Sequence, residues 1–138
     1  MDRNTTILLI EDNAEEAYIV MRMLSQIRPT LHLTILTTDA QVLAYLADPF
    51  HKKPILILLD LYLPTRQAGL QALSHLQTHF LVNHTPPAPV IILSNSEEAV
   101  DIQLCYDLGV NAYMVKPSTR IQLTNFIEYW LKTVTIPT

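Results

Sequence analysis

Four short stretches of this chain are almost unbroken in apolar residues: Ile7-Leu-Leu-Ile10, Ile55-Leu-Ile-Leu-Leu59, Val90-Ile-Ile-Leu93 and residues 110–115. A strand apolar on successive residues has both faces covered, the mark of a parallel sheet between layers of helix. A fifth run, Leu31-His-Leu-Thr-Ile-Leu36, alternates instead and reads as an edge strand. Between these runs the spacing turns helical. Ala17, Val20, Met21 and Leu24 share one face, and Leu123, Phe126, Ile127, Trp130 and Leu131 share another. Asp39 stands where it caps a helix running to about Leu46, with Pro49 closing it. A further helix spans about residues 70–82 and stops before Pro86-Pro87. The next starts near Ser96, where Glu97 and Glu98 suit a positive helix N-terminus, and ends at Gly109, which tolerates the left-handed conformation. Five strand–helix units in series, joined by short crossovers, define an α/β fold: a doubly wound, five-stranded parallel sheet with helices on both faces.

Composition narrows the class. The 138 residues suit one domain, 1–138, and 49% apolar content fills a core without staples. The 9 basic against 13 acidic residues leave a formal charge of −4 with no Lys/Arg block, which argues against direct nucleic-acid binding. One cysteine, Cys105, excludes an internal disulfide and fits a reducing cytoplasm; beside Ile102 and Leu108 it reads as core. No uncharged apolar run approaches the roughly 20 residues of a spanning helix, so a membrane role is not expected. The five histidines share no spacing that would build a metal site.

What ends each strand is more informative. The first apolar run leads into Glu11-Asp12, the third strand into Asp60, the fourth into Ser94 and the fifth into Lys116-Pro117. In an open α/β sheet, ligands bind beyond the carboxyl ends of the strands. Three carboxylates, a hydroxyl and an ammonium therefore meet at one edge. Singly, Asp12 could be no more than a helix cap. Asp60, after five apolar residues and before Leu61, is poorly solvated and needs a partner. Clustered carboxylates repel unless a cation intervenes, and oxygen-only ligands without His or Cys suit Mg²⁺. A lysine and a hydroxyl facing that site make sense if a phosphoryl group sits between them. Charge balance thus points to a phosphoaspartate site with Asp60 as acceptor and the adjacent Glu11 and Asp12 as metal ligands.

At these residues the chain resembles response regulator receiver domains: Glu11-Asp12-Asn13, Leu59-Asp60 with Pro64 following, Leu93-Ser94 and Val115-Lys116-Pro117 match the family's landmarks in order, over almost the whole length. The resemblance implies a flavodoxin-like strand order 2-1-3-4-5. It implies Mg²⁺ held by Glu11 or Asp12, Asp60 and the backbone carbonyl of Tyr62, phosphoryl contacts from Ser94 and Lys116, and a Tyr113 that rotates inward when Ser94 moves. It also implies a sensor histidine kinase as phosphoryl donor, a signalling rather than an enzymatic role, and commonly a cis Lys116–Pro117 peptide. More narrowly, Tyr106-Asp-Leu-Gly-Val-Asn-Ala-Tyr-Met-Val-Lys-Pro117, the Pro-rich approach to the fourth strand and the Trp130-bearing last helix resemble the stand-alone receivers that partner cyanobacterial phytochromes. A homodimer through the face of the fourth helix, fifth strand and fifth helix would then carry the output.

The match has departures. Tyr62 occupies a position usually small or polar; its ring either shields an acyl phosphate from water or simply faces solvent. The loop Pro64-Thr-Arg-Gln-Ala-Gly69 is longer than usual, with Ala68 where an acid is common, so docking beside the site should differ. Other classes fit less well. A phosphohydrolase of the haloacid dehalogenase type needs an acid two residues after its nucleophile, where Tyr62 stands. A flavodoxin-type flavin carrier needs a phosphate loop that Glu11-Asp12-Asn13 would repel. A pseudo-receiver, docking without phosphorylation, is the alternative from within the fold.

Overall fold

The computed structural model describes residues 6–84, 88–116 and 120–133. Five strands, β1 (Thr6–Ile10), β2 (His32–Leu36), β3 (Leu56–Asp60), β4 (Val90–Ser94) and β5 (Ala112–Val115), alternate with five helices. These are α1 (Ala14–Ile27), α2 (Asp39–Ala47), α3 (Arg66–Val82), α4 (Ala99–Asp107) and α5 (Arg120–Thr133). The strands form one parallel sheet in the order β2-β1-β3-β4-β5, the doubly wound arrangement expected from the apolar runs. β1, β3 and β4 are buried along their whole length, whereas β2 lies at an edge as expected and is exposed or half-buried until Leu36, without the strict alternation its sequence suggests.

Because successive strand residues point to opposite faces, each apolar run feeds two cores. Leu8, Ile10, Ile57, Leu59 and Ile92 pack with Val42 of α2, Leu73, Leu76 and Phe80 of α3 and Cys105 of α4. Ile7, Leu9, Leu56, Leu58, Ile91 and Leu93 pack with Ala17, Val20, Met23 and Leu24 of α1 and Ile127 and Leu131 of α5. Trp130 packs against this second core, as its spacing indicates, and Cys105 is fully buried.

Several local expectations are corrected. Met23 rather than Met21 completes the buried face of α1; Met21 is 37% exposed. Asn13, not Asp12, caps α1, its side chain accepting from the Glu16 N–H at 3.0 Å. Thr38, not Asp39, caps α2 through the Gln41 N–H, leaving Asp39 as the first helical residue. α3 begins at Arg66, earlier than the apolar spacing from Leu70 shows, because Thr65 accepts from the Ala68 N–H. The stretch expected as a long loop over 64–69 is therefore mostly the first turn of α3. α4 starts at Ala99, not near Ser96. Gly109 has φ +91° and ends α4 as expected. Gly69 is needed for a different reason: a Cβ there would lie 1.6 Å from the carbonyl oxygen of Leu61, so α3 packs on the end of β3 through bare backbone. The expectations for Pro86-Pro87, the Lys116–Pro117 peptide and the Leu123 side chain fall outside the described residues.

Candidate functional site

Register brings the expected polar residues together. Ile10 lies opposite Leu59, which sets Glu11 beside Asp60; Asp60 lies opposite Leu93, and Ser94 opposite Val115. The Lys116 N–H donates to the Ser94 carbonyl at 2.6 Å and extends that ladder. β1 is where the strand order reverses, since β2 lies on one side of it and β3 on the other, so the residues gather at the sheet's switch point.

Carboxylate oxygens of Glu11, Asp12 and Asp60 lie within 4.8 Å of one another. Glu11 and Asp60 are buried and Asp12 is exposed, so the cluster opens to solvent on one side. Lys116 Nζ donates to Glu11 Oε1 at 2.8 Å and to Glu16 Oε2 at 3.3 Å, and stands 3.8 Å from Asp60 Oδ2. The Tyr62 N–H donates to Asp60 Oδ1 at 3.1 Å, and the Asn13 N–H to Glu11 Oε2 at 3.3 Å. Hard oxygen donors in this number, without His or Cys, fit Mg²⁺ or a similar ion.

The charges are unequally compensated. Burial, followed by the hydrogen bond and charge of Glu11, pushes the Asp60 carboxyl up to about 8, against which Lys116 and the Tyr62 N–H act only in part. Burial also raises Glu11, but its bonds with Asp60 and Lys116 and the lysine's charge outweigh it, leaving Glu11 below its ordinary value. For Lys116, burial works against the charge, while Glu11, Asp60 and Glu16 more than offset it and hold the ammonium. Glu11 therefore keeps its charge beside a carboxyl that gives up its proton readily only when further positive charge arrives.

The hydroxyl side of the site is equally ordered. Ser94 is fully buried, and its Oγ accepts from the Ser96 N–H at 3.0 Å. Tyr113 packs partly buried against the α2–α3–α4 core, and its hydroxyl donates to the Ser96 carbonyl at 3.0 Å, so its ring already points inward. Tyr62 is 38% exposed, yet its hydroxyl is fixed, donating to Asp101 Oδ2 of α4 at 3.2 Å. Glu16, Arg66, Ser96 and Asp101 all take part here, and sequence spacing assigned none of them a role at the site. An acid within the apolar run Ala99-Val-Asp-Ile102 is the one signal that could have drawn attention to Asp101. Among the described residues, His75 pairs with Asp39 and His51 stacks edge-on to His79; no metal-binding group includes a histidine.

Known proteins share this fold. The model of the response regulator receiver domain matches residues 7–128. Response regulator Rcp1 of Synechocystis sp. is 30% identical over 139 residues, covering 95% of this chain and 92% of its own. The crystal structure of the phosphorylated cyanobacterial phytochrome response regulator RcpA superposes with a TM-score of 0.77 at 30% identity, covering 98% of this chain and 99% of that one. The Mn²⁺-bound form of Rcp1 gives 0.73 at 28% identity, covering 97% and 99%. The fold and the acidic strand-end site define a two-component signalling domain rather than a classical enzyme. The chain belongs to the response regulator receiver domain family, and it is similar to the response regulator Rcp1 and to the cyanobacterial phytochrome response regulator RcpA.

Proposed function

We propose that this chain is a phosphoacceptor response regulator, in which residues 1–138 act as one receiver domain taking a phosphoryl group from a sensor histidine kinase onto Asp60. The observation that carries this reading is the convergence of Glu11, Asp12, Asp60 and Lys116 at one switch point, with Asp60 crowded by negative charge. Glu11, Asp12, Asp60 and the Tyr62 carbonyl would hold Mg²⁺, which when bound neutralises the carboxylates and draws charge from phosphoryl oxygens.

The chain's own residues do the rest. An ionised Asp60 oxygen attacks the phosphorus of a phosphohistidine; the new O–P bond forms as the N–P bond breaks, and the imidazole leaves with the bonding electrons. Lys116, held by Glu11 and Glu16 a short distance from Asp60, takes up charge on a phosphoryl oxygen, and the Ser94 hydroxyl donates to another. Ser94 and Tyr113 both bond to Ser96, so a shift of Ser94 reaches the Tyr113 ring.

The likeness to Rcp1 and RcpA supports a phytochrome as the kinase, acting in the cytoplasm. Among the described residues, no helix is long and apolar enough to cross a membrane. Output passes to another protein or to a second copy through the α4–β5–α5 face that Tyr113 adjoins, not to nucleic acid. A kinase carrying labelled phosphohistidine should pass its label to this chain and not to the Asp60→Asn variant; retention of the label by the kinase with both would refute the reading. Light scattering of the beryllofluoride-treated protein should show a dimer, and a persistent monomer would remove that part of it.

A further inference from the structure

Outside the acidic cluster the domain holds a second buried carboxylate, Asp101 of α4, 4% exposed. Three groups from three segments converge on it. The Ser96 hydroxyl of the β4–α4 connection donates to its Oδ2 at 2.7 Å, the Tyr62 hydroxyl of the β3–α3 connection donates to the same oxygen at 3.2 Å, and Arg66 of α3 pairs with its Oδ1 through Nε. The two connections that flank Asp60 are thereby tied to one point.

Ser96 makes that point matter. Its N–H donates to Ser94 Oγ at 3.0 Å, its carbonyl accepts from the Tyr113 hydroxyl at 3.0 Å, and its own hydroxyl is the one held by Asp101. A residue that touches both the phosphoryl-contacting hydroxyl and the switch aromatic is thus fixed by a carboxylate that is itself fixed by Arg66. A side chain held by three partners has one position, and so does the carbonyl that receives Tyr113.

Resting on the phosphoacceptor reading above, we propose that Asp101 and Arg66 are positioning residues that brace Ser96 in the arrangement with Tyr113 inward, and so favour the phosphorylated conformation of the β4–α4 connection. Neither residue touches the acceptor carboxylate. The brace acts on the share of molecules whose loop is already competent, and apparent affinity for a phosphoryl group scales with that share. Asp101 also anchors the Tyr62 ring through its hydroxyl.

The test is titration of the full chain with beryllofluoride in Mg²⁺, followed by calorimetry, for wild type, Arg66→Gln, Asp101→Asn, Tyr113→Phe and the double variant Arg66→Gln/Tyr113→Phe. Arg66 is on the surface, its side chain 40% exposed, so its variant remains testable should Asp101→Asn fold poorly. Each brace variant should bind beryllofluoride about tenfold more weakly, while Mg²⁺ affinity without beryllofluoride stays at the wild-type value. The double variant should be no weaker than the weaker of its two singles, because both changes disable one linkage. Unchanged or tighter binding in Arg66→Gln, a parallel loss of Mg²⁺ affinity, or additive losses in the double variant would overturn the brace. Failure of the wild type itself to bind beryllofluoride would overturn the acceptor reading and the brace with it, so the two failures are distinct.

Discussion

Asp60 and Asp101 are both buried carboxylates on neighbouring elements of one domain, and their surroundings treat them oppositely. Around Asp60 stand another acid, one backbone N–H and a lysine already shared with Glu11 and Glu16, so burial dominates and the carboxyl is pushed up to about 8. Around Asp101 the hydrogen bond from Ser96 comes first, burial opposes it, and Arg66 and Tyr62 add to the first, leaving the carboxyl below its ordinary value. An acid left short of positive charge is ready to receive a cation and a phosphoryl group. One whose donors are already in place holds loops together. The difference lies in the partners, since burial alone raises both.

The largest perturbation of this contrast should come from Gly69→Ala. Its Cβ would meet the Leu61 carbonyl at 1.6 Å, forcing α3 and its Arg66 away from Asp101, and it should lower stability by about 3 kcal/mol in denaturant unfolding. Asp101→Ala follows, leaving the Ser96 and Tyr62 hydroxyls without their acceptor and Arg66 without its ion-pair partner; a loss of about 2 kcal/mol is expected. Because the Asp101 carboxyl is depressed in the folded state, its stabilising contribution is present at neutral pH. It fades as pH falls through the depressed value, so the deficit of this variant should shrink in acid.

Asp60 has the opposite sign. Its raised carboxyl contributes stability at acid pH that is lost as pH rises through about 8, so Asp60→Asn should gain on the metal-free wild type between about pH 4 and pH 8 in thermal unfolding. Mg²⁺ at about ten times its Kd should stabilise wild type by about 1.4 kcal/mol and Asp60→Asn by much less. The smallest effect concerns Tyr62: with its anchored ring replaced, Tyr62→Asn should lose acyl phosphate about threefold faster, near 0.6 kcal/mol of barrier. An unchanged rate would assign the ring to the brace alone.

The sheet and the acceptor side of the site were legible in the sequence because both are local signals. Unbroken apolar runs declare two-faced strands, and the polar residue ending each run falls at the switch point whatever the helices do. Glu11, Asp60, Ser94 and Lys116 needed only strand order to be brought together. The start of α3 was hidden because its first turn, Arg66-Gln-Ala-Gly69, carries no apolar periodicity and depends on the Thr65 cap. Met21 and Met23 both fit helical spacing beside Val20 and Leu24, and only packing against α5 and the sheet separates them. Asp101 was hidden most thoroughly: an acid near the start of a helix reads as a solvated charge, and its Tyr62 partner lies 39 residues away.

Intact mass after incubation with acetyl phosphate, with and without Mg²⁺ and beside Asp60→Asn, tests the central claim most directly. A single phosphoryl adduct that requires both Mg²⁺ and Asp60 is the expected result. An adduct that persists in Asp60→Asn, or folded protein that takes none and also fails to bind beryllofluoride, would contradict it, the latter marking the chain as a docking module with the receiver fold but without its chemistry.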